Sequence, residues 1–167
     1  MTLAYMSTPL VGAVNLGVVG QLGEPALVGG VSIGALVFDI VFAAFGFLRA
    51  GTTGFVAQAL GAGNRLEMSA TLYRALIAAL ALGLAVVALA GPILDAALAL
   101  IGGSEAVKAS TTGYWQVRVL ATPFALANYA ILGWLIGIGR AGYGLFLQTV
   151  LNGVNIVLSL VLVLELD

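Results

Sequence analysis

Long apolar runs dominate the pattern of hydrophobic and polar positions along the chain. Each run reaches about 20 residues, the length that a helix needs to cross the hydrocarbon core of a bilayer. Because the runs are continuously apolar and do not alternate at period two, they predict membrane-spanning helices and not the strands of a barrel. Asp39 alone interrupts Pro25–Leu48, and the runs without any charge are Met1–Gly23, Ala75–Leu94, Val119–Gly139 and Ala141–Leu164.

Five spans follow from these runs and from the glycine-rich or proline-containing connections between them, such as "GQLGEP" and "GAGNR". The second and fourth runs exceed the required length, so we expect them to tilt or to extend beyond the bilayer. The longer connection Gly91–Ala106 predicts a short amphipathic helix at the membrane interface. The predicted spans are Met1–Leu22, Ala26–Leu60, Thr71–Ala90, Val107–Gly137 and Tyr143–Leu164.

Composition supports an all-α, polytopic transmembrane bundle that forms one domain over residues 1–167. Of these residues 62% are hydrophobic and 8% charged, whereas soluble domains carry about 25% charged residues. The net charge of −1 offers no basic patch for nucleic acid. Without Cys or His, thiol or imidazole catalysis and the usual zinc sites are excluded. We therefore expect a membrane protein, not an enzyme, with lipid as its surroundings and no cofactor.

The connections also predict an orientation. Arg65, Arg74 and Arg140 lie in the second and fourth connections, whereas the first and third hold acids and one basic residue, Lys108. By the positive-inside rule, the even-numbered connections and the N-terminus face the cytoplasm.

Paired glycines at helical spacing predict close contacts between helices. Gly30 with Gly34, and Gly133 with Gly137, stand four residues apart, and small residues at this spacing let helix backbones approach in lipid. The pairs are explained either by dense packing within one bundle or by dimerisation.

The fifth span carries a polar stripe. Gln148, Asn152, Asn155 and Ser159 are spaced four, three and four residues apart, which places them on one helical face. Such a face must avoid lipid. It either forms hydrogen bonds between helices or lines a hydrated cavity.

Asp39 is the one carboxylate well inside any predicted span, on a face shared with Ser32, Gly46 and Thr53. An intramembrane acid is costly unless it is protonated, hydrated or paired. Arg49 falls on a different face of the same helix and does not predict a pair. Asp39 is therefore either protonated and hydrogen-bonded to a neighbouring helix, or a titrating group in a transport cavity.

The fourth span contains Pro123, with Arg118 before it and Asn128 and Tyr129 after it. Proline removes one backbone hydrogen bond and bends a helix. The bend is either static, with Thr122 or a neighbour satisfying the backbone, or part of a helix that changes shape.

Four blocks of the sequence together resemble the multidrug and toxic compound extrusion (MATE) family, in its DinF-like branch. They occur in the family's order and cover nearly the whole chain, and the block containing "FLRAGTTG" is the most specific. The blocks are "TPLVGAVNLGVVGQLGEPALVGG", "FGFLRAGTTGFVAQALGAGN", "YWQVRVLATPFALANYAILGWLIGIGRA" and "QTVLNGVNIVLSLVLV".

This resemblance implies twelve helices in two six-helix lobes of a plasma (inner) membrane antiporter, which exports amphipathic or cationic organic compounds in exchange for protons or sodium ions. The chain resembles only part of the first, N-terminal lobe. We expect the sixth helix and the C-terminal lobe to be missing partners of this fragment. The alternative is a truncated or accessory membrane protein with no transport activity of its own.

The resemblance also implies roles for residues. Many family members carry an aspartate implicated in cation coupling where this chain has Asn15, and Ser159 replaces a second frequent acid. An amide cannot carry a proton at physiological pH, so we hypothesise that Asp39 partly takes over, facing Asn15 across the cavity. We expect Gln148, Asn152, Asn155 and Ser159 to line this cavity and Pro123 and Asn128 to support a mobile fourth helix, while ligands for a sodium ion stay unassigned. Arg49 and Arg118 are expected to have structural roles.

Overall fold

The computed structural model describes residues 12–14, 16–21 and 23–164. From Pro25 onward this part forms seven helices in succession. They are α1 Pro25–Ala44, α2 Gly46–Gly61, α3 Arg65–Ala88, α4 Ala90–Ile101, α5 Glu105–Val119, α6 Thr122–Gly137 and α7 Ala141–Leu164. Residues 12–14 and 16–20 are also helical, but most of the first predicted span, Met1–Leu22, lies outside the described residues.

The described helices account for the other four predicted spans. Three are long and apolar enough to cross a membrane, namely Pro25–Gly61, which comprises α1 and α2, then α3, and the part of α7 over Ala141–Ser159. Helices α5 and α6 reach this length only together, and they are bent relative to each other by 53°. The described part of the chain therefore holds three spans, or four if the bent pair is one span.

The two longest runs consist of two helices each. The second predicted span is confirmed as Pro25–Gly61, and the bend expected in the fourth span is the 53° angle between α5 and α6. Helix α1 gives way to α2 at Phe45, and α5 gives way to α6 at Leu120–Ala121. Hydropathy does not signal either break because the side chains stay apolar through both. Pro123 occupies the first turn of α6, where the missing N–H of proline costs no helical hydrogen bond.

Helix boundaries follow local capping where hydropathy was a poor guide. Helix α3 begins at Arg65 and not at Thr71, because Asn64 Oδ1 accepts a hydrogen bond from Glu67 N at 3.0 Å. Capping of this kind holds the first turn in helical form even where its residues are charged. The short helix predicted between Gly91 and Ala106 is confirmed as α4, which ends at Gly102 with φ +75°.

Helix α6 lies in the centre of the described bundle and packs against α2, α3 and α7, while α1 packs mainly against α5. The paired glycines make these contacts possible. A Cβ on Gly30 would lie 2.4 Å from Ser110 Cβ, and one on Gly133 would lie 2.6 Å from the Arg49 carbonyl oxygen. Both pairs thus face helices of the same chain, which confirms dense packing within one bundle as their explanation.

Candidate functional site

Asp39 lies exposed on α1, beside α5. The residue before it, Phe38, has its ring next to Arg118 of α5. The Arg118 guanidinium stands 4.8 Å from the ring centroid of Phe38 and 5.4 Å from that of Tyr114, and it also donates a hydrogen bond to the Tyr114 hydroxyl. Arg118 is therefore held by two aromatic rings, one of which belongs to the residue that precedes Asp39.

Sequence reasoning missed this neighbour because the two residues are far apart in the chain. Helices α1 and α5 run parallel and in close contact, since Gly30 meets Ser110 and Gly34 meets Tyr114. One turn further on, the Phe38 and Trp115 ring centroids are 4.7 Å apart. The glycine spacing was the available signal that α1 would approach another helix closely, but it does not say which one.

The acid also lies at the height of the break between α5 and α6, because Arg118 is at the end of α5. At this break the Ala121 N–H donates to the Arg118 carbonyl oxygen at 3.1 Å. Thr122 Oγ1 is buried and has no hydrogen-bond partner. The sequence left the partner of the backbone at the Pro123 bend open between Thr122 and a neighbour, and the Thr122 hydroxyl makes no such hydrogen bond.

Helices α6 and α7 carry Asn128 and Gln148, two of the predicted lining residues. The two helices form an antiparallel pair in which Gly144 packs against Leu132 and Leu135. Asn128 stands four residues before Leu132 and Gln148 four residues after Gly144, so each remains on the contact face. Both side chains are half-buried.

The remaining stripe residues continue along α7. Asn152 and Ser159 are half-buried and Asn155 is exposed, and both asparagines have interaction partners. The stripe therefore follows α7 from Gln148 to Ser159.

Two predicted arrangements have other outcomes. Asn15 lies outside the described residues, so its pairing with Asp39 stays a prediction. The two ends of the second span have different neighbours, because the Thr53 hydroxyl contacts the Gly133 carbonyl oxygen of α6 at 3.1 Å while Phe38, next to Asp39, packs against Trp115 of α5. Arg49 stands 5.9 Å from the Tyr129 ring centroid, a contact between α2 and α6.

Comparison with known proteins identifies the family of this chain. Residues 1–161 match the MatE family. The chain belongs to this family. The resemblance seen in the sequence is thereby confirmed, and a MatE protein with several long apolar helices is a multi-pass membrane protein.

Two named relatives support the assignment to this family. DNA damage-inducible protein F of Escherichia coli K12 is 40% identical over 99% of this chain and 36% of its own length. The multidrug export protein MepA of Staphylococcus aureus MRSA252 is 23% identical over 100% of this chain and 37% of its own length. The chain thus spans about a third of the curated relatives that it matches.

A solved structure supports the fold independently. A MOP superfamily transporter from Pyrococcus furiosus superposes on 98% of this chain and 36% of its own chain, with a TM-score of 0.85 at 22% identity. At this identity the likeness shows the fold alone. The all-α bundle expected for part of a MATE lobe is confirmed.

Proposed function

We propose that this MatE chain forms part of a cation-coupled antiporter of the plasma (inner) membrane, with its N-terminus in the cytoplasm. The proposed substrates are small amphipathic or cationic organic compounds, exchanged for protons or sodium ions. One observation supports the proposal: the Arg118 guanidinium, at the end of α5, stands 4.8 Å from the ring centroid of Phe38, the residue before Asp39 on α1.

In this proposal Asp39 is the coupling group. A carboxylate in a membrane interior is retained at a cost of about 2.5–3.5 kcal/mol on insertion scales, so a functional role is its default explanation. Arg118 is a positive charge on α5, the helix against which α1 packs. A proton or a cationic substrate at Asp39 would then compete with the Arg118 charge, which couples the two.

The amide stripe supplies the substrate surface. Amide side chains both donate and accept hydrogen bonds, and their neighbours on α6 and α7 are apolar. A surface of this kind binds amphipathic compounds without requiring one substrate shape. Asn128, Gln148, Asn152, Asn155, Ser159 and Asn15 are the proposed lining residues, and the name of the S. aureus relative supports multidrug export.

A chimaera tests the coupling role. This chain would replace the matching third of the E. coli relative, which is 40% identical to it over 99% of this chain, and efflux of a panel of cationic dyes would be followed at several pH values. We expect efflux above empty vector, and a loss of at least about tenfold on Asp39→Asn, since the amide cannot bind a proton.

Glu24→Gln is the matched control, because Glu24 is an exposed acid before α1 whose side chain makes no capping hydrogen bond. Its efflux should equal that of the unmodified chimaera. Coupling through Asp39 is wrong if Asp39→Asn keeps pH-dependent efflux.

A second candidate is a truncated or accessory membrane protein that transports nothing by itself. The chain spans 36–37% of the length of these two relatives. In the MATE architecture, alternating access requires two bodies that rock against each other. We therefore propose that transport requires the remaining lobe as a partner.

A further inference from the structure

A groove of about 440 Å³ lies between α2 and α3, away from Asp39 and the α7 stripe. Its walls are largely apolar, and two phenylalanines, Phe47 and Phe55, are 58% and 65% exposed there. Gly51 leaves a gap between them, since a Cβ at this position would meet no atom within 4 Å. The lining residues are Phe47, Leu48, Gly51, Thr52, Phe55, Glu67, Thr71, Arg74 and Ala75.

One end of this groove carries an ion pair. Arg74 Nη1 lies 2.5 Å from Glu67 Oε1, and the two side chains are 68% and 44% exposed. Side chains on a helix lean toward its N-terminus, so the Arg74 guanidinium is carried toward the end of the groove where α3 begins. The remaining guanidinium N–H groups and the second carboxylate oxygen can bind a further polar group.

The combination of an apolar groove with adjacent positive and negative groups selects among membrane ligands. An anionic headgroup would be repelled by the Glu67 carboxylate. A simple organic cation would leave the remaining N–H groups of Arg74 without an acceptor. A zwitterionic headgroup matches both charges. A quaternary choline has no N–H to donate, whereas a primary ammonium forms charge-assisted hydrogen bonds with a carboxylate.

We propose that the groove between α2 and α3 is a binding site for an aminophospholipid of the phosphatidylethanolamine type. The phosphate binds Arg74, the primary ammonium binds Glu67, and one acyl chain lies along Phe47, Gly51 and Phe55. The site is independent of the proposed transport function, since it shares no residue with Asp39, Arg118 or the polar stripe.

Lipid retention by the purified full chain tests this assignment. The detergent-solubilised protein would be equilibrated with equal amounts of phosphatidylethanolamine, phosphatidylcholine and phosphatidylglycerol with identical acyl chains, and bound lipid would be counted by native mass spectrometry. We expect phosphatidylethanolamine to exceed phosphatidylcholine by about tenfold, the discrimination expected of one charge-assisted hydrogen bond. This comparison needs no variant and so does not depend on the folding of a mutant.

Variants separate the two charges. Glu67→Gln should lower phosphatidylethanolamine to the level of phosphatidylcholine, and Arg74→Gln should weaken both lipids because both carry the phosphate. Lys108 and Glu105 form a comparable exposed pair at 2.9 Å on α5, outside the groove. Glu105→Gln should therefore leave the lipid ratio unchanged.

A filled groove provides a further check. Gly51→Leu places a side chain where the acyl chain is proposed to lie, and it should reduce retention of all three lipids. The site is refuted if the unmodified chain retains phosphatidylethanolamine and phosphatidylcholine equally or prefers phosphatidylglycerol. It is also refuted if no lipid is retained, as expected when a second copy or the first span covers the groove.

Discussion

Thr122 illustrates how a single side chain depends on the bend at which it lies. The residue is 1% exposed and its hydroxyl oxygen has no hydrogen-bond partner. Thr111 on α5 is equally buried, yet its hydroxyl donates to the Val107 carbonyl oxygen at 2.8 Å. A regular helix offers a threonine such an acceptor one turn back, and the break between α5 and α6 removes it for Thr122.

Replacing this hydroxyl should therefore stabilise the protein. An unpaired buried polar group costs about 1–3 kcal/mol, and Thr122→Val removes it while keeping the shape of the side chain. We expect a higher unfolding temperature in detergent. Thr111→Val is the control and should lower the unfolding temperature slightly, because it removes a hydrogen bond that exists. Equal effects of the two variants would show that Thr122 finds a partner.

Asp39 and Arg118 make a second point at the residue scale. Asp39 was identified from the sequence alone, as the one acid within an apolar run. The nearness of Arg118 to this part of α1 became visible only from the packing of α1 on α5. Arg118 was expected to have only a structural role. Its contacts with Phe38 and Tyr114 fit that expectation, and because Phe38 precedes Asp39, they also give Arg118 a place in the proposed coupling.

At the scale of the helices, close backbone contacts hold the described bundle together. Gly133 and Gly137 of α6 face α2, where a Cβ on Gly137 would lie 2.7 Å from Val56 Cβ and 2.9 Å from the Thr53 carbonyl oxygen. Gly83 of α3 similarly faces Pro123, with a Cβ at 2.4 Å from Pro123 Cα. Lipid tails are as apolar as the helix surfaces, so such packing supplies much of the association energy.

Adding one methyl group to Gly133, where α6 contacts α2, should push these two helices apart. We expect Gly133→Ala to destabilise the protein by about 1–3 kcal/mol, because neither backbone can move without losing other contacts. Gly54→Ala on α2 is the control, since a Cβ there meets no atom within 4 Å. Unfolding in mixed micelles by circular dichroism measures both. Equal stability of the Gly133→Ala and Gly54→Ala variants would contradict the close packing of α6 on α2.

The division of two long apolar runs into two helices each is also a feature at the scale of the helices. Each appears in the sequence as one long apolar run, but the structure divides it at Phe45 or at Leu120–Ala121. Trp115 Nε1 donates to the Ala90 carbonyl oxygen at 3.0 Å, and Trp134 Nε1 donates to that of Met68 at 3.0 Å. These bonds join separate helices on either side of the 53° bend between α5 and α6, so interhelical contacts stabilise the bent arrangement.

At the scale of the whole molecule, the proposed transport needs more than the helices described. The chain spans 36% of its E. coli relative and 37% of its S. aureus relative. Exchange of access between two sides of a membrane requires one packed body to move against another, and the proposed second body is the remaining lobe.

Expressed alone, the chain should therefore insert into the membrane and export nothing. We expect dye efflux equal to empty vector for this chain and efflux above empty vector for the chimaera with the E. coli relative. Immunodetection in the membrane fraction confirms that both are present in similar amounts. Robust efflux by the chain alone would refute the requirement for a second lobe.

The sequence by itself determined the class of protein and most of the helix content. Continuous apolar runs longer than about 20 residues allow only membrane-spanning helices, and the spacing of small and polar residues on each helix identified the packing glycines, Asp39 and the stripe on α7. These properties depend on composition and on the helical period, both of which are local.

Only the tertiary structure decided which groups meet. The break at Phe45, the packing of Arg118 against Phe38 and the unpaired Thr122 hydroxyl were visible only in the structure, whereas the bend near Leu120–Ala121 was signalled by Pro123. Uniformly apolar segments carry no local record of such contacts, because in lipid every arrangement of the helices exposes similar surfaces. The arrangement is selected by close backbone packing, which becomes visible only when the helices are placed together.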